Sequence, residues 1–145
     1  GSITAFYTVL VDGDDPNDPV ADAARSILDG HIVLNRGLAE TGHYPAIDIE
    51  QSISRVMMNV ASDRHVLLAR KLKALWSRYQ ASRDLIAVGA YVNGADPETD
   101  LAIRVHDSLR HFLQQDVSER SALAASVKQL ERLVGPLVDG SAETG

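Results

Sequence analysis

Hydrophobic positions follow two periods along the chain, and the change between them divides it. Residues 3–11, ITAFYTVLV, are almost uninterrupted aliphatic, β-branched and aromatic side chains. Such a run has no polar face, so it predicts a strand buried on both sides, central in a parallel sheet. DGDDPNDP stops it. Asp18 followed by Pro19 predicts a helix start, because Asp offers an acceptor to free amides and Pro presets a helical φ. VADAARSILD continues that helix to Gly30, HIVLN predicts a second short strand, and RGLAET predicts a turn or two of helix before Gly42. Strand, helix, strand is the βαβ order of an α/β layer, present here only as a remnant. GHYPAIDIEQSISR, residues 42–55, reads as a weakly structured connector carrying a ring, a fixed turn and a guanidinium.

After Ser62 the period becomes helical. Leu68, Leu72, Leu75, Trp76 and Tyr79 share one face, in a helix running toward Gly89. Asp96-Pro97 predicts a second helix with Leu101, Val105, Leu109 and Phe112 inward. Ser118 is expected to cap a third, with Leu123, Val127, Leu130 and Val134 on its inner face and Gly135-Pro136 ending it. Three amphipathic helices on short loops predict a small bundle. The last nine residues, 137–145, predict a frayed or disordered tail.

Composition narrows the function. With 145 residues, 45% of them hydrophobic, the chain can bury a core. A net charge of −6 argues against holding nucleic acid on a broad basic surface. Residues 1–62 hold nine acids against three arginines, while the remainder is balanced, which places a domain boundary near Ser62. No window has the roughly 20 apolar residues of a membrane helix, and no signal peptide is expected. The absence of cysteine excludes disulfide scaffolds and thiolate zinc sites, and is compatible with a reducing cytoplasm.

The sequence contains no phosphate-binding loop of the G-x-x-x-x-G-K-[ST] type, no H-E-x-x-H and no G-x-S-x-G, so it names no self-contained active site. Asp12, Asp14, Asp15 and Asp18 invite a calcium reading that fails the EF-hand spacing, with Pro16 at a ligand position. The five histidines are scattered. By residue type alone, Tyr44 before Pro45 is a ring packed over a turn and Arg55 a surface or capping arginine.

Taken together, GSITAFYTVLVDGDDPNDPVADAARSILDGHIVLNRGLAETGHYPAIDIEQSISR resembles the C-terminal part of the rotary-type P-loop ATPase core. It is similar in particular to the flagellar protein-export ATPase and its type III secretion relatives. The F-type ATP synthase catalytic subunit has the same order of parts: strand, DD-x-x-DP loop, helix, strand, Tyr-Pro-Ala turn, Ser-x-Ser-Arg. The likeness covers essentially the whole chain, densest over residues 1–55, and AIDIEQSISR leans toward the flagellar branch.

The resemblance implies an α/β plus all-α fold: the C-terminal part of a RecA-like ATPase domain over 1–62, then a helical C-terminal domain over 63–136. It implies ATP and Mg²⁺ as ligands, with the phosphate loop, the magnesium-binding aspartate and the water-activating glutamate upstream of Gly1. The chain alone is then not expected to hydrolyse ATP. The parent is implied to be a six-membered ring in the cytoplasm, peripheral to the inner membrane through its partners. Those partners are a central coiled-coil stalk, the export apparatus, chaperones and export substrates.

Residue by residue, Arg55 ends the Ser-x-Ser-Arg motif and corresponds to the arginine finger that meets charge building on a neighbour's γ-phosphate. Tyr44, presented by Pro45, corresponds to the adenine-stacking tyrosine. Where F-type subunits complete the adenine pocket with aromatics, DVSERSAL offers Val117, Arg120 and Leu123, an aliphatic and looser wall. Asp14, Asp15, Asp18, Asp96, Glu98 and Asp100 lie in two loops implied to contact the stalk by complementary charge. Two rivals stand beside this: a standalone binding module for stalk or chaperones, and a hexameric RNA translocase, for which the acidic loops supply no basic pore.

Overall fold

A computed structural model describes residues 1–11 and 18–142. The elements follow the caps. Helix α1 (Pro19–Ile27) starts where the Asp18 carboxylate accepts from the amides of Val20 and Ala21 at 2.9 and 2.8 Å, with Pro19 at its first position. Strand β1 (Gly30–Leu34), short helix α2 (Arg36–Glu40) and strand β2 (Ile47–Ser54) follow, then a single turn α3 (Met57–Val60). Ser62 caps the 25-residue α4 (Asp63–Ala87), Asp96 caps α5 (Pro97–Leu113), and α6 (Leu123–Ala142) completes the chain.

Two expectations for the N-terminal half are corrected. Residues 3–10 form no strand, and Ile3, Phe6 and Leu10 are over 90% exposed. Burial on both faces needs neighbouring strands and covering helices, and among the described residues no strand pairs with this run. The parallel remnant is not present either: β1 and β2 pair antiparallel, with Gly30 opposite Ser54 and Leu34 opposite Ile47. Residues 47–54, read as connector, are a strand.

The register slips between His31 and Val33, and side chains fill the gap. Val33 N–H donates to Ser52 Oγ at 3.0 Å, while Asp48 accepts from the amides of Glu50 and Gln51 and from Asn35 Nδ2. Burial pushes the Asp48 carboxyl up, but these donated hydrogen bonds outweigh it and hold it below its ordinary value. At Gly30 a Cβ would stand 2.5 Å from the Ile53 carbonyl oxygen, so the strands approach closely only because no side chain is there.

The bundle is the core. Leu68, Leu72, Leu75 and Trp76 of α4 meet Ala102 and Leu109 of α5 and Leu130 and Val134 of α6. Leu68, Leu109 and Val134 are wholly buried, each contributing about 1.5–3 kcal/mol. Strand β2 docks on this bundle through Ile49, which packs against the core, and Ser77 of α4, whose hydroxyl donates to Glu50 at 2.6 Å.

The third helix departs from expectation at both ends. Ser118 does not cap it, because its amide and hydroxyl are both taken by Asp116 in a separate turn. Nor do Gly135 and Pro136 end it. Leu137 and Val138, expected to fray, pack against the core, and Arg64 of α4 bonds Glu131 before the proline and Asp139 after it. One guanidinium thus spans the turn in which Pro136 removes a backbone donor.

Candidate functional site

The turn after α2 presents the candidate site. Gly42 adopts φ 75°, a left-handed conformation that residues with a side chain rarely adopt, and its amide returns to Ala39 while that of His43 returns to Leu38. The chain then turns through Tyr44 and Pro45 into β2. Tyr44 is half exposed, and its carbonyl accepts from the Gln115 amide at 2.9 Å, which ties the turn to the loop after α5.

Between turn and loop lies a cavity of about 360 Å³ lined by Tyr44, Pro45, Gln115, Asp116, Val117 and Glu119. Three of the residues expected from sequence, Tyr44, Pro45 and Val117, therefore meet. Arg120 and Leu123 do not line it; Leu123 is 75% exposed at the start of α6. Sequence reasoning missed Gln115, Asp116 and Glu119. The Asp116-x-Ser118 pattern could have shown the compact turn that brings them in, since Asp accepting from a residue two further on is a common local closure. The Ser118 amide and hydroxyl hold the Asp116 carboxyl below its ordinary value. The cavity thus offers one aromatic face, one aliphatic face and a polar rim, which suits a flat ring with hydrogen-bonding edges.

Behind the turn, His43 is buried, its ring edge-on to Trp76 at 6.1 Å. Trp76 stacks on His106 at 5.2 Å, and His106 lies face to face with Tyr79 at 3.4 Å and 9°. Burial lowers both histidine pKa values; Arg110 adds to this at His43, while at His106 Asp107 pulls upward and Arg110 downward. Both rings are neutral at pH 7. Helical periodicity placed Trp76 and Tyr79 on one face, but nothing in the sequence joins them to His43 or His106.

Arg55 lies at the far end of β2. Its Nη1 and Nη2 donate to the carbonyls of Ser26 and Arg25, each at 2.9 Å, and its amide donates to Asp29. A cation there complements the negative end of α1. The side chain is exposed, so capping does not enclose it. Because Gly30 pairs with Ser54 and Leu34 with Ile47, the two ends of β2 stand four β1 steps apart, on the order of 13 Å at about 3.3 Å per residue.

The acidic residues behave differently. Asp14 and Asp15 lie outside the described residues. Asp18 caps α1. Asp96 caps α5 and accepts from the Thr99 hydroxyl, and Asp100 accepts from Tyr91 Oη at 2.8 Å and the Gly94 amide at 2.9 Å. These two hold the turn between α4 and α5 internally. Glu98 pairs with Arg78 yet keeps 70% of its side chain exposed. Among the described residues no group of three or more His, Cys, Asp or Glu is placed to hold a metal ion, and no helix is long and apolar enough to cross a membrane.

Residues 1–54 match the ATP synthase alpha/beta family, nucleotide-binding domain, and residues 61–132 match the T3SS EscN ATPase C-terminal domain. The class is therefore that of the ATP synthase alpha/beta ATPases, with a helical C-terminal unit. The flagellum-specific ATP synthase of Pseudomonas aeruginosa is 63% identical over 134 residues, 92% of this chain and 30% of that protein. The assembled ATPase EscN of the enteropathogenic E. coli type III secretion system superposes with a TM-score of 0.89 at 47% identity, over 92% of this chain and 32% of EscN. EscN in complex with its central stalk EscO gives 0.76 at 44% identity, over 80% of this chain and 29% of that one. The chain belongs to the flagellar and type III secretion ATPase family, and spans about a third of the length of these relatives.

Proposed function

We propose that this chain is the C-terminal portion of an ATPase that couples ATP hydrolysis to flagellar protein export, and that it serves two nucleotide sites from the two ends of β2. The supporting observation is the placement of Tyr44 and Arg55 at opposite ends of one strand: the ring lines a cavity with Pro45 and Val117, and the guanidinium stands exposed at the other end. Tyr44 stacks on the base of the nucleotide held by its own subunit. Arg55 leaves the α1 carbonyls and reaches the γ-phosphate in the next subunit of a six-membered ring. There a planar guanidinium neutralises charge that builds during phosphoryl transfer. The identity of the flagellar relative, 63% against 47% for EscN, favours the flagellar branch.

In this reading residues 1–62 complete a RecA-like domain and residues 63–136 form the helical C-terminal domain. The exposed Ile3, Phe6 and Leu10 fit a strand that pairs only within the larger domain. Magnesium accompanies ATP, but no donor cluster for it stands among the described residues, and no step of the reading passes through it. The chain alone does not turn over ATP. The stalk, chaperones and export apparatus dock on the assembled ring, in the cytoplasm and peripheral to the inner membrane. Glu98, with the acids Asp14 and Asp15 of the sequence, meets the stalk by complementary charge. ATP turnover by the full-length parent with Arg55→Lys and Arg55→Ala tests the reading. Loss of turnover with nucleotide binding retained supports the finger; normal turnover by both variants removes it.

A further inference from the structure

We propose that His43 is a positioning residue through which the helical bundle sets the Tyr44 ring at the nucleotide, an inference that rests on the reading of Tyr44 as the base platform. Neighbours along the turn point opposite ways: His43 is 6% exposed and Tyr44 54% exposed. Their Cα atoms are fixed about 3.8 Å apart, so the depth at which the inner ring is seated sets where the outer ring projects.

That seat is not built by the turn itself. His43 lies edge-on to Trp76 of α4, Trp76 stacks on His106 of α5, and His106 covers Tyr79. Four rings from three segments thus make one contiguous stack whose first member adjoins the proposed base platform. The rings meet by face and edge packing. A second tie comes from the same bundle, because the amide of Gln115, just past α5, holds the Tyr44 carbonyl at 2.9 Å. The bundle therefore grips Tyr44 on both sides, by the preceding side chain and by its own carbonyl. A displacement of α4 or α5 relative to β2 reaches the ring through these two contacts.

The test is a double-mutant cycle in the full-length parent ATPase, reading KM for ATP, which does not depend on the fraction of enzyme that is folded. His43→Ala raises KM about 3- to 10-fold, part of what loss of stacking on Tyr44 produces, with a smaller fall in kcat. His43→Phe, which keeps an aromatic edge against Trp76, restores KM to within about twofold of wild type. In a Tyr44→Ala background, His43→Ala adds nothing further, because its effect passes through the missing ring. An equal rise in KM in both backgrounds overturns the inference, as does an unchanged KM for His43→Ala where Tyr44→Ala raises it. An unchanged KM for Tyr44→Ala removes the base-platform reading and this inference with it.

Discussion

The Arg55 guanidinium is hydrogen-bonded to the carbonyl of Ser26, 29 residues earlier in the chain, at 2.9 Å. The same group closes the C-terminal turn of α1 and is the proposed finger, and the two roles ask for different chemistry. Capping needs only a cation near the helix end. Transition-state stabilisation needs a planar fork with several donors. Arg55→Lys should therefore melt close to wild type while its parent enzyme loses turnover, and Arg55→Ala should lose both turnover and a few degrees of melting temperature. Circular-dichroism melts of the chain, set beside ATP turnover of the parent, separate the two.

The His43–Trp76–His106 stack makes stability depend on pH in a defined window. Burial, opposed at His106 by Asp107 and reinforced at both rings by Arg110, lowers the folded-state pKa values below 6.5. Between those lowered values and 6.5 the unfolded chain binds more protons than the folded one, so stability rises with pH there. This contribution levels off about one pH unit above 6.5 and is lost as pH drops through it. Asp48, Asp96, Asp116 and Asp139 are depressed in the fold, so their contribution is present above about 4 and lost only in stronger acid. Trp76 is the one tryptophan, and its emission reports the stack directly. Melts followed by that emission at pH 8.5, 7.5 and 5.5 should agree closely at the first two and fall at the third; His43→Phe with His106→Phe should flatten the dependence.

Gly30 sets the approach of β1 to β2. A methyl group there meets the Ile53 carbonyl oxygen at 2.5 Å, and backbone on both sides must shift to admit it. Gly30→Ala should destabilise the chain by about 1–3 kcal/mol, the usual cost of overpacking. Because Arg55 follows β2 and caps α1, the loss should extend to α1, visible as faster amide exchange in residues 20–27.

Legibility in the sequence followed the physics of each element. Helices α1, α4 and α5 were readable because Asp18-Pro19, Ser62 and Asp96-Pro97 stand just before a helical period and are caps in the structure. Strand β2 was not, because Asp48 and Ser52 spend their side chains on its backbone, a habit of turns, and its pairing with β1 is broken by the register slip between His31 and Val33. The hydrophobic run 3–11 encodes burial, but burial is a property of two surfaces and the described residues supply only one. At the site, Tyr44, Pro45 and Val117 were reachable through a family resemblance. His43, Trp76 and His106 were not, since no local pattern joins a turn to two helices.

Arg64 bonds Glu131 and Asp139 from one guanidinium, on either side of Pro136. These two pairs raise the Arg64 pKa further above its ordinary range. Arg64→Ala should free the end of α6 without unfolding the bundle, because Leu68, Leu109 and Val134 keep their burial. Hydrogen exchange should show faster amides over residues 137–142 and unaltered protection in the middle of α4.

Of the acids expected at the stalk, Asp96 and Asp100 hold the α4–α5 turn together, so their substitution confounds binding with folding. Glu98 does not have that fault: it is largely exposed and its partner Arg78 lies on the helix surface. Glu98→Gln removes one charge and keeps the shape. In the assembled parent it should weaken stalk binding a few-fold at low ionic strength, with the difference shrinking as salt is raised, since exposed charges more than about 10 Å apart are screened at 0.1 M. Titrations of the stalk at 50 and 500 mM salt measure this. An identical affinity for both proteins at 50 mM would take Glu98 out of the interface.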